Sequence, residues 1–223
     1  MTKPLLIIGN KNYSSWSLRP WLALHVAGID FDEKLVPLFE DDWAARKAEL
    51  PSGTVPVLEH DGIVIWETMA ILEYAAETWP DANLWPADKA ARARARSIAN
   101  EMHAGFTRVR GAMPMNIRAH FPGRGRHDGV AEEIARIETI WTECRNEFGS
   151  GGDFLFGDFG NADAMFAPIV SRFTTYDVTL NPICRAYMDA VQALPAMQEW
   201  SEAGRAEPWT IDDDEIDFVE GQA

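Results

Sequence analysis

The 223-residue chain is 47% apolar and carries nine tryptophans, a composition that can offset the entropy of ordering and excludes a mainly disordered chain. Thirty-five acidic against 20 basic residues leave a formal charge of −15, which repels nucleic acid and anionic membranes over most of the surface. The length admits one large domain or two modest ones, and two are expected.

The only cysteines, Cys144 and Cys184, form no CxxC pair, so neither a disulfide framework nor a thiolate metal site is indicated, and a reducing compartment fits. No basic stretch, apolar run and small-residue cleavage site opens the sequence, and no apolar run approaches about 18 residues. A soluble, cytoplasmic protein is expected.

The opening run PLLIIG reads as a buried strand bounded by Gly9 and Asn10. RPWLALHVAG then reads as a helix ended by Gly28, with Pro20 tolerable if it falls in the first turn. FDEKLVPL is a weaker second strand, and EDDWAARKAEL a short polar helix that stops near Pro51. VPVLEHDGIVIW holds two β-rich runs around Asp61-Gly62, the pair favoured by a type I′ hairpin, and ETMAILEYAAETW is a helix closed by Pro80. The first 80 residues therefore predict a β-α-β-α-β-β-α unit, residues 81–89 a linker, and residues 90–210 an all-helical domain.

In that second domain, Val130, Ile134, Ile137, Trp141, Cys144 and Phe148 form the most sustained helical stripe. The Ala/Arg-rich segment from Ala87 is helix-prone until Pro114, and ADAMFAPIVSRF and PICRAYMDAVQALP predict two further helices. Residues 211–223 read as an acidic tail that frays. The run RARAR at 92–96 has the look of an anion site, although a solvated helix face is the commoner meaning. His25, His60, His103, His120 and His127 show no metal-ligand spacing, and no metal is expected.

Three segments, TVPVL at 54–58, ETMAILEY at 67–74 and FGNADAMFAP at 159–168, together resemble the glutathione transferase superfamily across essentially the whole chain. The resemblance implies a thioredoxin-like N-terminal domain (residues 1–80) followed by the all-helical domain. It implies a cis peptide between Val55 and Pro56, with the backbone of Val55 pairing with the cysteinyl part of glutathione. It implies that Glu67 and Thr68 grip the γ-glutamyl group. The GNAD segment is similar to the family's buried capping motif, with Gly160 at the hydroxyl position and Asp163 at the third helical position, a feature of the fold alone.

YSSWSLR resembles the Ser-Ser-Cys-Ser run of the zeta class, with Trp16 at the place of its cysteine. This implies Ser14 as the donor to the glutathione thiolate, with Ser15 or Tyr13 as alternatives and Ser17 as a helix cap. Such a donor would lower a thiol pKa of roughly 8.5 and so raise the thiolate fraction at neutral pH. Trp16, Phe106, Met113, Met115 and Arg118 are candidates to line the electrophile pocket. The implied activity is a glutathione-dependent transferase acting on a small apolar electrophile, as a homodimer. A zeta-like isomerase of a small dicarboxylate and a non-catalytic scaffold are the alternatives.

Overall fold

Leu6, Ile7 and Ile8 are buried in a sheet covered on both faces, which is why the opening run lacks polar alternation. The computed structural model describes residues 2–216. Strands β1 (Leu5–Ile8), β2 (Asp32–Leu35), β3 (Val57–His60) and β4 (Ile63–Trp66) lie in the order β2-β1-β3-β4. β1 runs parallel to β2, and β3 is antiparallel to both of its neighbours. Asp61 and Gly62 close the β3–β4 hairpin with φ of 49° and 79°, the two-residue turn that matches strand twist. Helices α1 (Ser15–Val26), α2 (Trp43–Ala48) and α3 (Thr68–Thr78) complete the predicted order of the first 80 residues.

The rest of the described chain is helical: α4 (Lys89–Ala104), α5 (Thr107–Ala112), α6 (Val130–Phe148), α7 (Asn161–Thr175), α8 (Pro182–Ala193) and α9 (Pro195–Ala206). α7 is buried almost throughout and packs on α1 and α4, so it joins the two halves in one core. The stripe predicted for α6 is buried from Val130 to Cys144, with Phe148 half-buried. No helix among the described residues is long and apolar enough to cross a membrane.

Several elements differ from the sequence reading. Pro20 lies in the interior of α1 rather than in its first turn. The helix-prone segment before Pro114 breaks into α4 and α5 where Phe106 takes a left-handed φ of 55°. There, a Cβ on Gly105 would meet the Glu101 carbonyl at 2.7 Å. Helix α9 was missed, although Pro195 at its first turn and buried Ala196, Met197, Trp200 and Gly204 carry a helical pattern. The predicted fraying from 211 does not hold at its start: Ile211 is buried, and the Glu215 carboxylate accepts from Tyr13 and Asn116. The remainder of that tail, 217–223, lies outside the described residues. The RARAR arginines are engaged within the chain, Arg92 on the Pro86 and Ala87 carbonyls, Arg94 on Glu143 and Arg96 on Glu73.

Candidate functional site

A cleft of about 300 Å³ opens where four elements meet. The start of α1 contributes Trp16, the turn into β3 contributes Thr54, Val55 and Pro56, the start of α3 contributes Glu67 and Thr68, and α4 contributes His103. The Val55–Pro56 peptide is cis. Trp16, Val55, Pro56, Glu67 and Thr68 were among the sequence candidates, whereas Thr54 and His103 were not. His103 carries no spacing signal because its place depends on how α4 packs against the first domain.

Glu67 has φ 72° and ψ 127°, a sparsely populated region that costs on the order of 1–3 kcal/mol for a non-glycine residue. From there its carboxylate lies 4.0 Å from His103 Nε2. α3 begins without a side-chain cap, so the amides of its first turn are free to meet an anion.

The proline inside α1 explains what holds Thr68. Pro20 has no N–H, so it cannot donate to the carbonyl of Trp16 four residues earlier. The Thr68 hydroxyl donates to that carbonyl instead, at 3.0 Å. It is thereby spent on joining α3 to α1, and Thr68 can offer the cleft its backbone amide.

The ring of Trp16 is surrounded by cations. The guanidinium of Arg19 stands 4.2 Å and that of Arg110 4.8 Å from its centroid, with His103 edge-on at 5.2 Å. Arg19 is fully buried, donating to the carbonyls of Met165 and Ser15, while its Nη2 has no partner among the described residues. Arg172 donates to the Met113 and Pro168 carbonyls and to Ser15 Oγ. Burial, reinforced by mutual repulsion, holds the pKa of Arg19 well below the usual guanidinium range and brings that of Arg172 to about 10. A guanidinium is too basic to lose its proton at neutral pH even so.

The three hydroxyls proposed from sequence point elsewhere. Ser14 Oγ donates to Ser17 Oγ at 2.8 Å, and Ser17 Oγ accepts from the Gly9 amide, so Ser17 ties β1 to α1 rather than capping the helix. Ser15 Oγ accepts from Arg172, and Tyr13 donates to Glu215 while accepting from Arg118. Burial and the Glu215 bond raise the pKa of Tyr13. None of the three lines the cleft.

Phe106, Met113 and Met115 are packed in the core, not around a cavity. Spacing alone does not separate an apolar pocket wall from the core. Arg118 is fixed by the Glu207 and Trp209 carbonyls and faces a different cleft with Ser171 and Glu202. Burial pushes the Cys144 thiol up to about 12 and raises that of Cys184, so neither is a nucleophile at neutral pH. No group of three or more His, Cys, Asp or Glu side chains among the described residues is placed to hold a metal ion.

The family models for the N-terminal and C-terminal domains of glutathione S-transferase match residues 13–78 and 128–203. Maleylacetoacetate isomerase of Rattus norvegicus is 36% identical over 186 residues, spanning 81% of this chain and 82% of that protein. The chain belongs to the glutathione transferase superfamily. Glutathione S-transferase 1 of Dianthus caryophyllus is 29% identical over 79% of this chain and 82% of its own length. A glutathione transferase homolog from Burkholderia, solved with bound glutathione, superposes with a TM-score of 0.70 at 22% identity, covering 92% of this chain and 99% of that one.

The superfamily's capping motif is present in half-form. Asp163 accepts from the amides of Gly160 and Leu155 at 2.9 and 3.0 Å, while Gly160 has no side chain to return the bond. Burial outweighs these amides and raises the Asp163 pKa to about 6.

Proposed function

We propose that this protein binds glutathione in the cleft between α1, the Val55–Pro56 turn and α3, and activates its thiol for addition to a small apolar electrophile. The observation that carries the reading is the convergence of Glu67, the uncapped start of α3 and the Val55 backbone on one cleft. Glu67 takes the γ-glutamyl ammonium, and the first amides of α3, including that of Thr68, take its carboxylate. The cysteinyl backbone pairs with Val55. Its sulfur then lies at the start of α1, whose open amides favour a thiolate. Ser14 serves as donor by turning its hydroxyl from Ser17 toward the sulfur. Bringing thiolate and electrophile together supplies proximity as well as activation.

Retention on immobilised glutathione tests binding. An ultraviolet difference titration of bound glutathione across pH 5–9 tests activation: thiolate absorbance well below the free thiol's pKa is expected. Passage straight through the column would leave a non-catalytic scaffold as the better reading.

A zeta-like isomerase is favoured by one observation, the cationic surroundings of Trp16, which suit a small dicarboxylate. The identity with maleylacetoacetate isomerases supports it, and tryptophan at the place of the zeta cysteine weighs against it. Conversion of maleylacetone without net loss of glutathione would establish the isomerase, and a stable conjugate the transferase.

The proposed setting is the cytoplasm and the proposed assembly a homodimer. Phe39 is 67% exposed, and Ile63, Val64 and Trp66 of β4 are also exposed, apolar surface that a second subunit would cover. A clean 25 kDa monomer by light scattering at micromolar concentration would contradict the dimer.

A further inference from the structure

Three guanidiniums lie together behind the inner wall of the cleft. Arg19 and Arg110 stack on Trp16, the residue that forms that wall, and Arg172 reaches the adjacent Ser15. Among the described residues, every hydrogen bond they donate goes to a neutral carbonyl or hydroxyl oxygen. Among the same residues none of the three forms an ion pair. The acidic groups that act on them do so only from a distance, Asp214 on Arg172 and Glu133 on Arg110. Glu133 is itself held by the amides of Arg108 and Val109.

Guanidinium does not shed its proton at neutral pH, and burying it without an anion is costly. Three such groups in a chain of net charge −15 form a positive region to which, among the described residues, no carboxylate is directly hydrogen-bonded. Arg19 Nη2, buried and unpartnered, is its least satisfied atom. The three hydroxyls nearest the start of α1 are meanwhile committed to Ser17, Arg172 and Glu215.

We propose that Arg19, Arg110 and Arg172, acting through and around Trp16, supply the positive field that holds the sulfur of bound glutathione as a thiolate. This rests on the proposed glutathione site and assigns its activation to buried charge rather than to a donated hydroxyl alone. These arginines are positioning residues, since Trp16 stands between two of them and the cleft. At an effective dielectric of about 20 and a separation of about 10 Å, one such charge is worth about one unit of thiol pKa. The anion that the cluster lacks is the thiolate itself.

The test is the ultraviolet titration of bound glutathione on the wild type and on Arg110→Met, Arg110→Lys, Arg19→Met and Ser14→Ala, each checked for folding by circular dichroism. Arg110 is half-exposed, so its variants keep the test available if Arg19→Met does not fold. Arg110→Met is expected to raise the bound thiol's pKa by about one unit with glutathione still bound, and Arg110→Lys to restore most of the shift. A purely structural arginine would lower the melting temperature and leave that pKa unmoved. An unchanged pKa in folded Arg110→Met, with a raised one in Ser14→Ala, overturns the proposal and leaves the glutathione reading standing. No lowered thiol pKa in the wild type overturns both.

Discussion

Backbone strain at Glu67 and the carboxylate it presents have opposite effects on stability and binding, which makes that position informative. Glu67→Gly relieves a φ of 72° but loosens the unfolded chain, so the melting temperature should change by no more than a few degrees. The same change removes the proposed partner of the γ-glutamyl ammonium. Glutathione affinity, measured by calorimetry, should fall by tenfold or more, since a hydrogen bond to a charged group is worth about 1.5–3 kcal/mol. Thr68→Val should act differently. It leaves the Trp16 carbonyl without the donor that replaces the missing Pro20 amide, at a cost of about 1–3 kcal/mol in denaturant unfolding. The pair Glu67-Thr68 was legible in the sequence as a motif. The part played by the threonine hydroxyl was not, because it depends on a carbonyl 52 residues away that a proline's missing amide leaves unbonded inside α1.

Helix α7 and its cap carry the junction between the two halves. The Asp163 carboxyl, buried under the Leu155 and Gly160 amides, has its pKa raised to about 6 from an ordinary 3.8. A raised carboxyl pKa means that the folded state binds the proton more tightly than the unfolded one. The stability this group contributes is therefore present below pH 4 and is lost as the pH rises through 6. The change is about two units, or roughly 3 kcal/mol. Asp163→Asn should lack that slope, so the difference in unfolding free energy between wild type and variant should vary by about that amount between pH 4 and 7 and be flat above. The half-motif was visible from GNAD, and its bonds are those expected. The size of the shift follows from burial of α7 on nearly every side, which no local pattern announces. α6 was legible because its stripe repeats over five turns. α9 was overlooked and the α4–α5 break unforeseen, the latter because a left-handed Phe106 has no sequence signal of its own.

The two halves are also joined by their ends. Glu207 accepts from the amides of Lys11 and Asn12, Arg118 holds the Glu207 and Trp209 carbonyls, and Glu215 accepts from Tyr13 and Asn116. A chain ended after Pro208 keeps the Glu207 bonds but should melt several degrees lower by calorimetry, having lost buried Ile211, the Trp209 carbonyl and the Glu215 carboxylate. It should bind glutathione within about twofold of the full chain, because none of the described residues that are lost lines the cleft. Apolar periodicity, turn chemistry at Asp61-Gly62 and the three family segments made the succession of elements along the chain, the helical second half and most of the cleft readable from the chain alone, since each is written in residues close together. Which hydroxyls are free, which methionines are core and where three arginines gather were decided only by tertiary packing. Hydrogen-bond partners and uncompensated charge are set by residues as much as 202 positions apart, as Tyr13 and Glu215 are, and spacing along a chain carries no record of them.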